Sequence, residues 1–511
     1  MQLSAFVLLL AAAPALLGEP ATKSVPFQNR FTKRVDVLLE QTPAVMRGDV
    51  GFKFVDALTG QVLAEENSRH FFTPASNTKL YTTALALTRL GPSYKFQTDL
   101  RTTGPWKPGQ TTLSDLQLVG GGDPNLSGRP VPYQVDAHDG DPLGVLRDLA
   151  SQLAAKGVRE IDGNVTGVST RYPDERYPEG WTLDDSLYGY GAPVSALAVN
   201  DNLVSLKVNP TADGQLANVE LQPSIQSFIL LNEVITDLSR ESKIDVLRPP
   251  GSNELILRGT IGLRAPVWEQ DVAVEDPALF AAEAMIDVLE DAGIAVQGQA
   301  RTEYRTDDNT CAEPNAPAAP PTSADQSGIV LASHESVPLT EIIRVVNKVS
   351  QNLHAEMLLR EVGHLTRGDG SLRCGVAERE KFLGEIGITK EGSGYSLDDG
   401  SGLAREDLTT PDSTVSLLRS LWAGPNRYAW VNSLPIGGVD GSLQHRFHGI
   451  RNANRIHAKT GSLSNVNALS GYIETRRGRW VAFSVMVNAT PVHSDKIQHF
   501  IDRLCALFLN S

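Results

Sequence analysis

Between Val50 and Glu66 the chain carries two short apolar runs, Phe52-Lys53-Phe54-Val55 and Gln61-Val62-Leu63-Ala64, around Leu58-Thr59-Gly60. That pattern predicts a β-hairpin. After Pro74 the stretch from Ser76 to Leu90 suits a helix, and Gly91-Pro92 stops it. From about Tyr94 to Arg301 the pattern changes to many short strand-like runs. Examples are Leu116 to Val119, Asn164 to Val168 and Glu254 to Leu257, and one helix is predicted among them, near Pro142 to Lys156. Glu303 to Gly328 is rich in Ala and Pro without periodicity and reads as a linker. Helical patterns return at Leu339 to Val349, Asn352 to Thr366 and Thr414 to Ala423. Three strand-like runs follow, Arg455 to Thr460, Asn467 to Glu474 and Arg479 to Val487. A terminal helix closes the chain, with the apolar stripe Ile497, Phe500, Ile501, Leu504, Cys505 and Phe508. Both ends therefore read as α/β and the middle as β-rich.

Length and composition narrow this picture. The 511 residues exceed one ordinary core, since a domain takes roughly 100–200 residues. With 41% hydrophobic and 21% charged residues the chain is globular rather than disordered. A formal charge of −14 makes it a poor polyanion binder, so nucleic acid is excluded as a partner. Three cysteines rule out a disulfide-dense scaffold and a structural zinc module. Cys505 falls in the terminal apolar stripe and is expected to be buried, while Cys311 and Cys374 lie in loop-like sequence and are free to pair. The apolar run Leu3 to Ala13, with small residues at Ala13 and Ala15, suits a secretory leader over residues 1–21. The expected location is exported, periplasmic or otherwise extracytoplasmic, with membrane association if the leader is retained.

Three patterns carry candidate chemistry, each present once. In Ser76-Asn77-Thr78-Lys79 the hydroxyl and amine at i and i+3 share a helix face. Serine needs a base to become a nucleophile, and lysine is that base only when neutral, which burial and a second cation promote. The bland alternative is a helix start with a capping serine and a solvated lysine. In Ser350-Gln351-Asn352 the hydroxyl could relay a proton and the amide could hold a substrate carbonyl. Its alternative is a cap for the following helix. Lys459-Thr460-Gly461 ends a strand, where lysine and threonine can bind an anionic terminus and glycine admits substrate backbone. Its alternative is an ordinary strand end and turn. There is no G-x-S-x-G elbow, P-loop lysine, H-E-x-x-H or C-x-x-C. His354-Ala355-Glu356 lacks the P-C-x-x-C partner of a deaminase site, and His457 reads as a half-buried strand histidine.

In this order the trio is that of class A β-lactamases and penicillin-binding proteins. The chain resembles the class C low-molecular-mass penicillin-binding proteins, the D-alanyl-D-alanine carboxypeptidases/endopeptidases. Similar-looking stretches are Tyr188 to Leu197, Leu397 to Leu403 and Gly438 to Leu443. The 274 residues from Ser76 to Ser350 match the large insertion of that family and exceed what a compact β-lactamase would need. The resemblance implies an α/β (α+β) fold: a penicillin-binding/β-lactamase-like transpeptidase domain split by a β-rich insertion. The parts would be a catalytic domain over 22–95 and 329–511, and an insertion of two subdomains over 96–328. It implies a serine DD-peptidase acting on D-Ala-D-Ala ends or cross-links of peptidoglycan peptides, with β-lactam antibiotics as acylating inhibitors and no cofactor or metal. Ser76 would be the nucleophile and Lys79 its base, with Lys459 helping to keep Lys79 neutral. Ser350 would relay protons toward the leaving amine, and Asn352 would hold a substrate amide. Lys459 and Thr460 would bind the terminal carboxylate, and the N–H groups of Ser76 and Ser462 would form the oxyanion hole. Gln351 stands where the class A β-lactamase version has Asp and is expected to matter little. No deacylating glutamate is identifiable. The competing readings are a β-lactamase-like hydrolase and a non-enzymatic wall-binding protein.

Overall fold

A computed structural model of the protein describes residues 26–134, 140–225, 227–306, 311, 328–392 and 394–509. The leader expected over 1–21 and most of the Ala/Pro-rich linker lie outside these residues. Helix α1 (Pro26–Glu40) precedes the predicted hairpin, β1 (Asp49–Asp56) and β2 (Val62–Glu66). A short 3-10 turn, Ala75–Asn77, leads into α2 (Thr78–Arg89). Every residue of α2 from Thr78 to Leu87 is buried, so it is a central helix with no solvent face.

The insertion follows. Its strands of four or more residues, in chain order, are β3 (Gln97–Thr102), β4 (Leu116–Val119), β5 (Val165–Pro173), β6 (Leu203–Asn209), β7 (Asn218–Gln222), β8 (Ile229–Asp237), β9 (Ser242–Leu247), β10 (Glu254–Gly262), β11 (Trp268–Ala273), β12 (Ala300–Arg305) and β13 (Ile329–Glu335). The main sheet runs β12-β5-β4-β3-β13, and two three-stranded sheets run β11-β6-β7 and β8-β10-β9. Helix α3 (Gly144–Ala155) is the one predicted. A second helix, α4 (Pro277–Asp291), is a correction to the expected single helix. Its Ala-rich sequence has good helix propensity, and the Asp276 side chain caps it by accepting from Leu279 N–H. One core spans Leu100 to Ala332 and serves the insertion alone. Strand β13 pairs with β3 throughout its length. Pairing within the insertion therefore runs past the expected boundary at 328, to Glu335, because the linker's composition marks a break in packing and says nothing of the strand beyond it.

The chain beyond the insertion contributes α5 (Leu339–Lys348), α6 (Asn352–Arg367), α7 (Leu372–Glu385), α8 (Pro411–Ala423) and α9 (Arg427–Ser433). Strands β14 (Ile456–Leu463), β15 (Val466–Glu474) and β16 (Trp480–Asn488) and helix α10 (Ser494–Leu509) complete it. The antiparallel sheet order is β14-β15-β16-β1-β2, so the two ends of the chain close one sheet. β1 pairs with β16 from Asp49↔Asn488 to Asp56↔Val481. Strand alternation sends Val50, Phe52 and Phe54 to one face, against α1 and α10, and Val55 to the other, against α2 and α8. Phe54 stacks on Phe483 and Phe508, with centroids 5.4 and 4.1 Å away. Each such ring contributes about 1.5–3 kcal/mol by burial. Cys311 and Cys374 form a disulfide and Cys505 is a buried free thiol. Among the described residues no helix is long and apolar enough to cross a membrane.

Candidate active site

The cleft forms where the N-terminal end of α2, the α5–α6 connection and the free edge of β14 meet. Ser76 lies in the 3-10 turn before α2, half-buried. Ala75, just before it, is left-handed at φ 47°. Such a conformation costs a non-glycine residue roughly 1–3 kcal/mol and needs packing to hold it. That packing comes from two close approaches. A Cβ at Gly402 (φ 80°) would lie 1.9 Å from Ala75 O, and one at Gly461 would lie 2.4 Å from Pro74 O. Only glycine lets this loop and strand close on the serine turn.

Lys79 follows one helical turn later, fully buried. Its Nζ lies 2.9 Å from Ser76 Oγ, 2.5 Å from Asn352 Oδ1 and 2.6 Å from Ser401 O. The last two partners are pure acceptors and take two N–H groups. Only the serine hydroxyl can also donate, so the lone pair of a neutral amine falls on the Ser76 O–H. Burial pulls the Lys79 pKa from 10.5 to about 7, against the opposing charges of Asp399, Glu356 and Asp407. Of the two causes the sequence offered, burial is the one that lowers it. Lys459, expected as the second cation, is itself pushed well below its ordinary pKa by burial and then by the charge of Lys79.

Ser350 stands between α5 and α6 with φ 66° and meets Lys459 Nζ at 2.8 Å. Lys459 also donates to Thr460 O at 3.0 Å, and Thr460 Oγ1 bonds Ser442 Oγ at 2.7 Å. Asn352 opens α6, and its Nδ2 donates to Tyr190 O at 2.7 Å, which fixes the amide so that Oδ1 faces Lys79. Ala458 N–H donates to Pro435 O and Ile456 O accepts from Gly437 N–H, both off the free edge of β14. By two-residue alternation the N–H of Ser462 points off that same edge. Ser462 is exposed. Ser76, Lys79, Ser350, Asn352, Lys459 and Thr460 thus converge in one cleft, and Ser462 sits beside them on β14.

Several neighbours were given no role by the sequence. Ser401 and Asp399 lie in the flagged stretch Leu397 to Leu403 and Tyr190 in Tyr188 to Leu197; Ser401 acts through its backbone carbonyl, which leaves no side-chain signature. Asp399 is fully buried. Burial would raise its pKa, but the N–H groups of Ala404, Trp181 and Gly402 outweigh that, so it stays ionised and shapes the loop that presents Ser401 O. Burial, reinforced by Asp399, pushes the Asp407 carboxyl well up. Ser442 lay in the stretch Gly438 to Leu443, which the sequence flagged without a role. Trp181, Tyr190 and Asp201 come from the insertion. Trp181 also lines a groove of about 770 Å³ with Tyr177, Asp184, Tyr188, Arg248 and Glu275. His457 is half-buried, and burial lowers its pKa.

The profile of the D-Ala-D-Ala carboxypeptidase 3 (S13) family matches residues 31–507. The chain is 32% identical over 493 residues to a D-alanyl-D-alanine carboxypeptidase of Actinomadura sp., covering 94% of this chain and 84% of that one. It is 25% identical over 446 residues to the D-alanyl-D-alanine carboxypeptidase DacB of Haemophilus influenzae, covering 86% and 85%. The crystal structure of penicillin binding protein 4 from Haemophilus influenzae shares the fold, with TM-score 0.76, 23% identity and coverage of 93% and 99%. The same protein complexed with a β-lactam superposes with TM-score 0.70 and 22% identity, covering 93% of this chain and 98% of that one.

Proposed function

The chain belongs to the D-Ala-D-Ala carboxypeptidase 3 (S13) family, and from that premise we propose how its own residues carry out the serine DD-peptidase reaction. The observation that carries the reading is the buried Lys79 amine, 2.9 Å from Ser76 Oγ, whose other two partners only accept. Neutral Lys79 takes the Ser76 proton as Oγ attacks the carbonyl carbon of the penultimate D-alanine. The carbonyl oxygen becomes an oxyanion between the N–H groups of Ser76 and Ser462. As the C–N bond breaks, Ser350 passes its proton to the departing amine and regains one from charged Lys459, whose Nζ lies 2.8 Å away, and the acyl group stays on Ser76 as an ester. Water then hydrolyses the ester and returns the serine. Lys459 and Thr460 bind the terminal carboxylate, and an anion there favours the charged form of Lys459. Asn352 holds a substrate amide.

The natural substrates on this reading are peptidoglycan stem peptides ending in D-Ala-D-Ala, or their D-amino-acid cross-links. β-Lactams occupy the same cleft and acylate Ser76. The leader-like N-terminus supports export, which places the enzyme outside the cytoplasm with its wall substrate. The test is intact-protein mass spectrometry after benzylpenicillin. One covalent adduct is expected in the native protein and none in Ser76→Ala; an adduct that survives the substitution overturns the assignment. Fast turnover of nitrocefin without adduct would indicate a β-lactamase-like hydrolase instead.

A further inference from the structure

Gln351, between Ser350 and Asn352, turns its side chain away from the lysines and toward the insertion. Its Nε2 donates to Asp201 Oδ2 at 2.8 Å, and its Oε1 accepts from Leu353 N–H at 3.0 Å, capping α6. His354 is fully buried, and its Nε2 meets Asp201 Oδ1 at 2.8 Å. Arg129 forms an ion pair with the same carboxylate. Asp201 is 3% exposed, so its charge is committed to these three partners. It lies in Asn200-Asp201-Asn202, three consecutive left-handed residues at φ 50°, 55° and 55°. Left-handed backbone at non-glycine residues persists only where surroundings over-determine it, and it concentrates at functional sites.

Ser350 is itself left-handed, so its hydroxyl depends on how its neighbours are held. On one side Lys348 is ion-paired with Asp440 and donates to Leu434 O at 3.0 Å. On the other side the grip is Asp201 on Gln351 and His354. We propose that Asp201, from the insertion, is a positioning residue of the peptidase reaction: it holds the α6 N-terminus so that Ser350 Oγ stands beside Lys459 and in line with the leaving amine. This rests on the role given above to Ser350. The insertion is then part of the catalytic apparatus, since Tyr190 O orients Asn352 and Asp201 sets Ser350.

The test uses Asp201→Asn, Gln351→Glu and their combination in the full-length protein. The first removes the charge shared by Gln351 Nε2, His354 Nε2 and Arg129 and leaves one accepting oxygen where there were two. The pair exchanges donor and acceptor, restoring the hydrogen bond while keeping the cluster's net charge. Acylation rate constants and half-saturating concentrations are measured for a D-Ala-D-Ala peptide and for a thioester analogue whose thiolate leaves without a relayed proton. Asp201→Asn should slow acylation by the peptide about 10–100-fold at nearly unchanged half-saturation, the scale of an ångström's misplacement. Thioester acylation should fall less than about threefold, because its departure needs no general acid. The double variant should recover peptide acylation to within about fivefold, as coupled neighbours do. Equal losses with both substrates, a change in half-saturation alone, or no recovery in the pair overturns the proposal. If Asp201→Asn does not fold, Gln351→Met removes the same hydrogen bond from a half-buried position, leaves the Asp201–Arg129 pair, and is read by the same peptide-to-thioester ratio. A penicillin adduct persisting in Ser76→Ala would overturn the parent reading instead, so the two failures are distinct.

Discussion

The cleft and the seam between the insertion and α6 both bury charge, and they treat it in opposite ways. At the seam Arg171 grips Glu361 with two bonds of 2.7 and 2.8 Å. Tyr172 donates to the same carboxylate at 2.9 Å, and Tyr94 at 2.5 Å. Burial would raise the Glu361 pKa, but Arg171 outweighs it, so the group stays ionised and inert. In the cleft Lys79 and Lys459 are equally buried, yet they bond to hydroxyls, an amide oxygen and carbonyls. Among the described residues no carboxylate bonds either amine, and the charges of Asp399, Glu356 and Asp407 oppose burial at Lys79 without matching it, so both pKa values fall. Paired burial makes a strut; unpaired burial makes a base.

The comparison breaks first at Lys79. Lys79→Met should slow benzylpenicillin acylation by about 10³-fold, the scale of a lost general base. Its thermal midpoint should hold or rise, because an apolar side chain replaces a buried amine that no carboxylate bonds. A fall in the midpoint would mean that Lys79 is a strut after all. The converse holds at the seam. Glu361→Ala should cost about 3 kcal/mol in urea unfolding, since Arg171 is left without its carboxylate. A loss near zero would remove the distinction between the regions.

The pH dependence sharpens the same contrast. Lys79 with a pKa of about 7 is charged below that value and a base above it. Acylation should therefore drop about tenfold for each pH unit below 7 and level off above it. A profile flat between pH 5 and 8, measured by stopped-flow with a fluorescent penicillin, would place the base elsewhere. The smallest effect is expected at the rim. Ser442→Ala removes one neutral hydrogen bond to Thr460, worth about 1 kcal/mol, so half-saturation for a carboxylate-bearing substrate should rise about fivefold. No change would show that Thr460 needs no support.

The elements of the cleft were legible because their signals are local. The hairpin, α2, α5, α6 and the three final strands all follow from apolar spacing and from stops such as Gly91-Pro92. Helix α4 was hidden inside a block read as strands, although Asp276, Pro277 and the Ala-rich run that follows are a helix start. Gln351 was expected to matter little, and its side chain does avoid the lysines. Its contact with Asp201, 150 residues away in sequence, has no local trace.

By itself the sequence determined which groups are available and in what order: a hydroxyl and an amine one turn apart, a hydroxyl with an amide, and a lysine with a threonine on a strand. Side-chain chemistry and helical or strand periods are properties of neighbouring residues, so they can be read along the chain. Tertiary structure alone decided how those groups behave. It closed one sheet from both chain ends, brought Ser401 O and Tyr190 O to the cleft, and buried two lysines whose hydrogen-bond partners are neutral. A pKa and a hydrogen bond to a distant carbonyl depend on what surrounds a group in space, and only the folded chain supplies those surroundings.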